Sequence, residues 1–200
     1  MFKITKDWRE ISPRLYTWDE DSKTLSTDQS WIVIECYYEW VTFKTGDDCT
    51  FKTGSRCNFE TGANCTFKTT FYCTFKTNRD CVFTTGSNCT FRTGGDCTFT
   101  TTHNCTFMTG NDCTFTTSNH CAFRTGDNCV FQTGRYCTFR TGDNCVFNTA
   151  PSCSFFTSFN CVLVRRDINE VIKIPENKKI RLNWFEKKWY EPAEEEDKDI

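Results

Sequence analysis

The chain has 200 residues, a formal net charge of -2 and 38% hydrophobic residues, which is enough for one continuous core and too little for two ordinary domains with decorations. A near-neutral balance offers no global attraction to nucleic acid or to a membrane surface, so neither is expected as a partner, and no apolar stretch approaches the roughly 20 residues that cross a bilayer. Cysteine at 16 and phenylalanine at 20, against two methionines and four prolines, shows a few residue types reused at fixed places.

The first segment, residues 1–40, opens on Met1-Phe2-Lys3-Ile4-Thr5-Lys6-Asp7-Trp8, whose charges stand where a secretory leader needs an apolar run. It carries Trp8, Trp18, Trp31 and Trp40, and the strand-like Trp31-Ile32-Val33-Ile34 near its end, and is expected to form an N-terminal cap. Asn64-Cys65-Thr66, Asn88-Cys89-Thr90 and Asn104-Cys105-Thr106 are glycosylation sequons at repeat seams, where a glycan would jam the stacking. A reducing, cytoplasmic location with free thiols is therefore expected.

From Cys49 to Cys161 the cysteines recur every eight residues, and Val41 fills the same place one unit earlier, giving sixteen units over residues 41–164. The third position is Phe and the fifth Thr in every unit except the last, where Leu163 and Arg165 replace them. Small or apolar residues alternate with polar ones, as a strand with a period of two requires. Positions one, three and five are predicted to point inward, with Cys89, Phe91, Cys97, Phe99, Cys105, Phe107, Cys113 and Phe115 as representative core residues. Positions two and four point outward. Each unit reads as a strand of about five residues and a turn of about three, with Gly at position six and Asn or Asp at position eight supplying residues that tolerate positive φ.

An eight-residue coil leaves almost no interior for a Phe. Position eight also alternates: odd units, counted from Val41, carry only Asp or Asn there, whereas even units carry Arg56, Tyr72, Asn88, Asn104, His120, Tyr136 and Ser152. A coil of two units follows, although duplication of unit pairs in the gene would leave the same period. The predicted fold is all-β: a parallel two-sheet β-solenoid of eight sixteen-residue coils, roughly 40 Å long at about 4.8 Å per rung. Residues 165–190, with Val171-Ile172-Lys173-Ile174, Ile180-Arg181-Leu182, Trp184 and Trp189, are expected to form the C-terminal cap, and 191–200 a disordered acidic tail.

No cysteine pair has zinc-ligand spacing, and thiols in parallel rows would need an awkward dihedral to form disulfides, so the cysteines read as corner fillers and no metal or cofactor is expected. His103 and His120 sit in turns without a matching nucleophile or acid, and the chain reads as a non-enzyme. Two surfaces are candidates for binding. Thr98, Thr100, Thr114 and Thr116 lie on one face, and Lys76, Arg92, Arg124 and Arg140 in a row on the other, within a repeat region holding ten basic and eight acidic residues between Val41 and Asn160.

Three resemblances attach to these residues. The T-x-T pairs Thr98/Thr100 and Thr114/Thr116 resemble the ice-binding rows of insect antifreeze proteins, which implies an ice- or crystal-binding face. The shape is similar to the calcium-binding β-roll of bacterial toxins, whose regular turn aspartates are here irregular, as Asp47-Asp48 against Ala63-Asn64 shows. The run C-T-F-x-T-G-x-N, as in Cys49 to Gly54 and Cys137 to Asn144, resembles octapeptide-repeat proteins of large DNA viruses. That resemblance implies synthesis in host cytoplasm and a place in or on the virion. The expectation is a structural or protein-binding scaffold that meets a protein partner and can oligomerise through its caps or edges.

Overall fold

The alternation of small, apolar and polar residues produces strands of three or four residues, such as Thr98–Thr100 and Val146–Thr149, shorter than the five predicted. The computed structural model describes residues 2–165, 170–182 and 190–192. Trp184 and Trp189, and the acidic residues Glu194 to Asp199, lie outside the described residues. Two twelve-stranded sheets face each other. Even-numbered units form one sheet and odd-numbered units the other, and each strand pairs in parallel with the strand sixteen residues on, as in Thr98↔Thr114 and Phe99↔Phe115.

The stack begins one coil earlier than the octads do. Thr24–Ser26 pairs in parallel with Thr42–Lys44, and Val33–Cys36 with Thr50–Thr53, so the solenoid has about nine turns where the octads alone give eight. Leu25 and Ile34 stand in the Phe place of this leading coil. Cys36 pairs with Thr53, in the inward place of the fifth position, and is buried. Its spacing in sequence concealed this, because the leading coil is a residue or two longer than the others.

Phenylalanine fills the interior as two interleaved stacks. Phe83, Phe99 and Phe115 are nearly parallel at 4.8 and 4.9 Å, one rung apart. Phe99 also meets Phe91 and Phe107 of the opposite sheet edge-on, at 5.2 Å. Each mid-rod ring therefore has two stacked and two edge-on neighbours, the arrangements that the ring quadrupole favours. Burial of each ring contributes about 1.5 to 3 kcal/mol.

Corners are bonded from coil to coil like the strands. Gly110 N–H donates to Gly94 O at 3.0 Å, and Asp96 N–H donates to Asn111 O at 2.9 Å. Position eight is left-handed in every described octad corner, from Asp48 at φ 58° to Asn160 at φ 55°. Glycine has a different role from the one expected, since no glycine has positive φ. At position six the next coil passes too closely for a side chain: a Cβ on Gly110 would come within 2.8 Å of Gly95 N. Elsewhere the space is filled by a position-seven side chain. Asp47, Asn111, Asn119 and Asp127 each reach over the following coil's Gly62, Gly126, Gly134 and Gly142, and their Oδ1 atoms accept from the backbone N–H one residue further on, at 2.7 to 2.9 Å.

Both ends are closed by strands running in the reverse direction. Phe2–Lys6 lies antiparallel to Val33–Cys36, and Thr17–Asp19 to Thr24–Ser26; at the far end Glu170–Lys173 lies antiparallel to Val162–Arg165, and Lys179–Leu182 to Ser154–Thr157. Ile4 and Ile180 are buried over the ends of the core, and Phe2, Tyr16 and Trp18 pack against it. Reversal breaks the parallel template that an open solenoid end would offer to another chain.

Two stability outcomes follow from this packing. Phe99→Ala should cost about 3–5 kcal/mol in denaturant unfolding, whereas Phe156→Ala, at an outward position, should cost less than about 1 kcal/mol. At Gly54 a methyl group would meet no atom closer than 3.6 Å. Gly54→Ala should thus be neutral or stabilising by up to about 1 kcal/mol, and Gly110→Ala destabilising by about 1–3 kcal/mol, read from the same unfolding midpoints.

Candidate binding faces

Strand alternation turns positions two and four of each unit to the surface and keeps them in straight rows. On the even face Thr98 and Thr100 are the register partners of Thr114 and Thr116, and all four are exposed. Val82 and Thr84 continue the two rows on one side, and Val130 and Gln132 on the other. Toward the N-terminal end of this face Lys52 is tied to Glu35 at 2.9 Å.

The odd face carries the basic row. Lys76, Arg92, Met108, Arg124 and Arg140 follow one another in register, so the four predicted cations share a line that Met108 interrupts. Lys44 precedes them, paired with Glu60 at 3.7 Å, and Arg140 lies over the Phe156 ring at 5.5 Å. The C-terminal cap sets Lys179 against Phe156, at the end of this line, and Arg181 against Ser154, at the end of the position-two line. Sequence could not place these two cations, because the pairing across the cap is antiparallel and follows no repeat. Beside the row run Thr74, Thr90 and Thr106 at position two.

The corner that leads into the odd face holds residues that the repeat pattern treats as exceptions. Trp40, Arg56 and Tyr72 occupy consecutive coils, with the Arg56 guanidinium 5.4 Å from the Trp40 ring centre and 5.6 Å from that of Tyr72. Glu39 holds the same guanidinium at 2.8 Å. Further along, His120 stacks on Tyr136 at 5.0 Å. All five have positive φ, a backbone state that costs a non-glycine residue about 1–2 kcal/mol, and stacking between successive coils offsets part of it. Trp40, Arg56, Tyr72, Asn58 and Thr74 line a shallow groove of about 380 Å³ that opens onto the odd face. The spacing of sixteen between Trp40, Arg56 and Tyr72 was the available signal. The aspartates of the other corner, Asp80, Asp96 and Asp112, each stand two residues before an even strand and so border the even face.

The fifteen repeat cysteines form two buried rows, Cys36 is buried apart from them, and all sixteen are free. Each thiol of the two rows points at corner carbonyls, as Cys97 does toward Gly95 O at 3.2 Å and Asn78 O at 3.8 Å. Thr61, Thr69 and Thr101 have buried hydroxyls that meet no oxygen or nitrogen partner and face the thiols of Cys65, Cys73 and Cys105. Burial pushes the Cys57 thiol up to about 12, and the hydrogen bond with Cys65 together with burial raises Cys49. Among the described residues no group of three or more His, Cys, Asp or Glu is arranged to hold a metal ion. No family model, curated protein or solved structure matches the chain.

Raised thiol pKa values have a sign for stability. Between the ordinary value of 9.0 and the folded value of about 12, Cys57 stays protonated when folded and ionises when unfolded. Stability should therefore hold below that window and fall as pH rises through it, measured as a declining urea midpoint. Native protein at neutral pH should leave a thiol reagent almost unreacted, and all the cysteines should react once it is unfolded.

Proposed function

We propose that the chain is a non-enzymatic structural or interaction scaffold, a rigid rod that holds a protein partner against rows of side chains at fixed pitch. The observation that carries this reading is the unbroken register of the outward rows, as from Lys76 to Arg140 on the odd face. A partner meeting such a row makes the same contact at successive rungs, and preorganisation removes the ordering cost that a flexible surface would impose. The thiols, the most reactive groups of the repeats, are engaged with corner carbonyls in the core, which supports a packing role for them. The octad's resemblance to repeat proteins of large DNA viruses supports a place in host cytoplasm or in the virus particle.

A second reading, binding to ice or another crystal surface, is favoured by one observation. Thr98, Thr100, Thr114 and Thr116 form a flat two-by-two array in register on the even face. The two readings separate in paired assays on the full chain. Under the scaffold reading, a partner is captured by wild-type protein and lost with either Arg124→Glu or Thr116→Lys, which identifies the face, and ice recrystallisation proceeds unhindered. Inhibition of recrystallisation at low concentration, abolished by Thr114→Lys with no captured partner, would replace the scaffold with the crystal-binding reading.

A further inference from the structure

The odd face brings three chemistries together along the rod axis. Its cations recur at rung spacing, since Lys76 and Arg92 belong to strands whose Phe75 and Phe91 rings are 4.8 Å apart, and Arg124 and Arg140 to strands whose Phe123 and Phe139 rings are 4.9 Å apart. A parallel row of threonine hydroxyls, Thr74, Thr90 and Thr106, accompanies them. At the N-terminal end of the face Trp40 and Tyr72, 63% and 57% exposed, rim the groove that also contains Asn58 and Thr74.

The geometry points to a linear, carboxylate-bearing polysaccharide as the ligand of the odd face, lying along the rod with one sugar residue to each rung. This goes beyond the protein-partner reading, to a second class of ligand on the odd face, and rests on the same non-enzymatic, rigid rod. A chain of 1→4-linked pyranose rings advances by nearly the rung pitch per residue and, in its extended two-fold form, turns every second carboxylate to the same side, so Arg92 and Arg124, two rungs apart, meet carboxylates two rings apart. Guanidinium groups match a carboxylate with two parallel hydrogen bonds, and Arg92, Arg124 and Arg140 are the exposed forks of this row. Threonine hydroxyls both donate and accept, as the hydroxyls of a sugar ring do. Exposed Trp and Tyr rings, apolar in body and polar at the tip, pack against the C–H faces of sugars. Single-stranded nucleic acid fits less well. Its successive bases need successive aromatic platforms, whereas the exposed Trp40 and Tyr72 stand together at one end of the face and the one ring in the cation row, Phe156, lies under Arg140. Of the nearby carboxylates, Asp80, Asp96 and Asp112 border the even face, and Glu60, in line with the cations, is paired with Lys44 at 3.7 Å, so the ligand's carboxylates are met from Lys76 onward.

The test is affinity electrophoresis of the full chain in gels containing polygalacturonate, with calorimetry for the dissociation constant. Polygalacturonate should retard the wild-type protein, while its fully methyl-esterified form, with the same rings and no free carboxylate, should not. Arg92→Glu with Arg124→Glu should weaken binding at least tenfold, Tyr72→Ala severalfold, and Thr100→Lys with Thr116→Lys on the opposite face not at all; circular dichroism establishes that each variant is folded. Absence of retardation, unchanged affinity in the folded double Arg variant, or equal retardation by polyglutamate or by polyuridylate would overturn the inference and leave the scaffold reading standing. Release of new reducing ends from polygalacturonate would instead overturn the scaffold reading, since the protein would then be cleaving its ligand.

Discussion

Every other feature of this rod depends on the contact between phenylalanine rings of opposite sheets. A solenoid coil of sixteen residues is thin, and in every octad coil but the last an aromatic ring from each side fills the gap between its two short strands. Since each ring both stacks on its own row and meets the opposite row edge-on, rise per coil, register and sheet separation are set together by one side chain. The strands contribute few residues each, and the corners are the narrowest part of the coil. Cysteine suits that corner because its sulfur is small, apolar enough to be dry, and able to donate weakly to the carbonyls that converge there.

The corners show how a repetitive chain tolerates irregular residues. A left-handed residue is needed once per unit, and Asn or Asp supply it most easily. Where Arg56, Tyr72, His120 or Tyr136 take the place, each has a stacking neighbour in an adjacent coil, so the cost is met by contacts that only the assembled stack provides. Position seven works in the same way, with a side chain from one coil bonding the backbone of the next over a glycine. The rod is thus held by ladders of three kinds: strand backbone, aromatic ring and corner amide.

Much of this was legible in the order of residues. The period of two within a unit, and of sixteen between unlike units, specifies inward and outward places and the parallel pairing of Phe99 with Phe115. The sixteen-residue period also puts Lys76, Arg92, Arg124 and Arg140 in one line, where the register has them. What it could not reveal arises where repetition fails. Leu25 and Ile34 imitate Phe in a coil of slightly different length, and antiparallel pairing brings Lys179 to the end of the basic row and Arg181 to the end of the threonine row beside it. The glycines misled for a physical reason: a residue without a side chain signals either an unusual backbone angle or a close neighbour, and a single coil read alone shows only the first possibility.

Because a coil contains two units and a unit contributes to one face only, the repeat has a reading phase. Loss or gain of two adjacent units shortens or lengthens the rod by one rung and leaves every later residue on its own side. Loss of a single unit leaves every inward Phe inward, so the core closes as before, yet it exchanges the two faces from that point onward: Arg124 and Arg140 would come to lie in line with the threonines of the earlier coils. Folding is nearly blind to such an event, and recognition is wholly exposed to it. A rod of this kind therefore inherits its surface as a matter of parity, and its length can drift by pairs of octads while its two faces stay distinct.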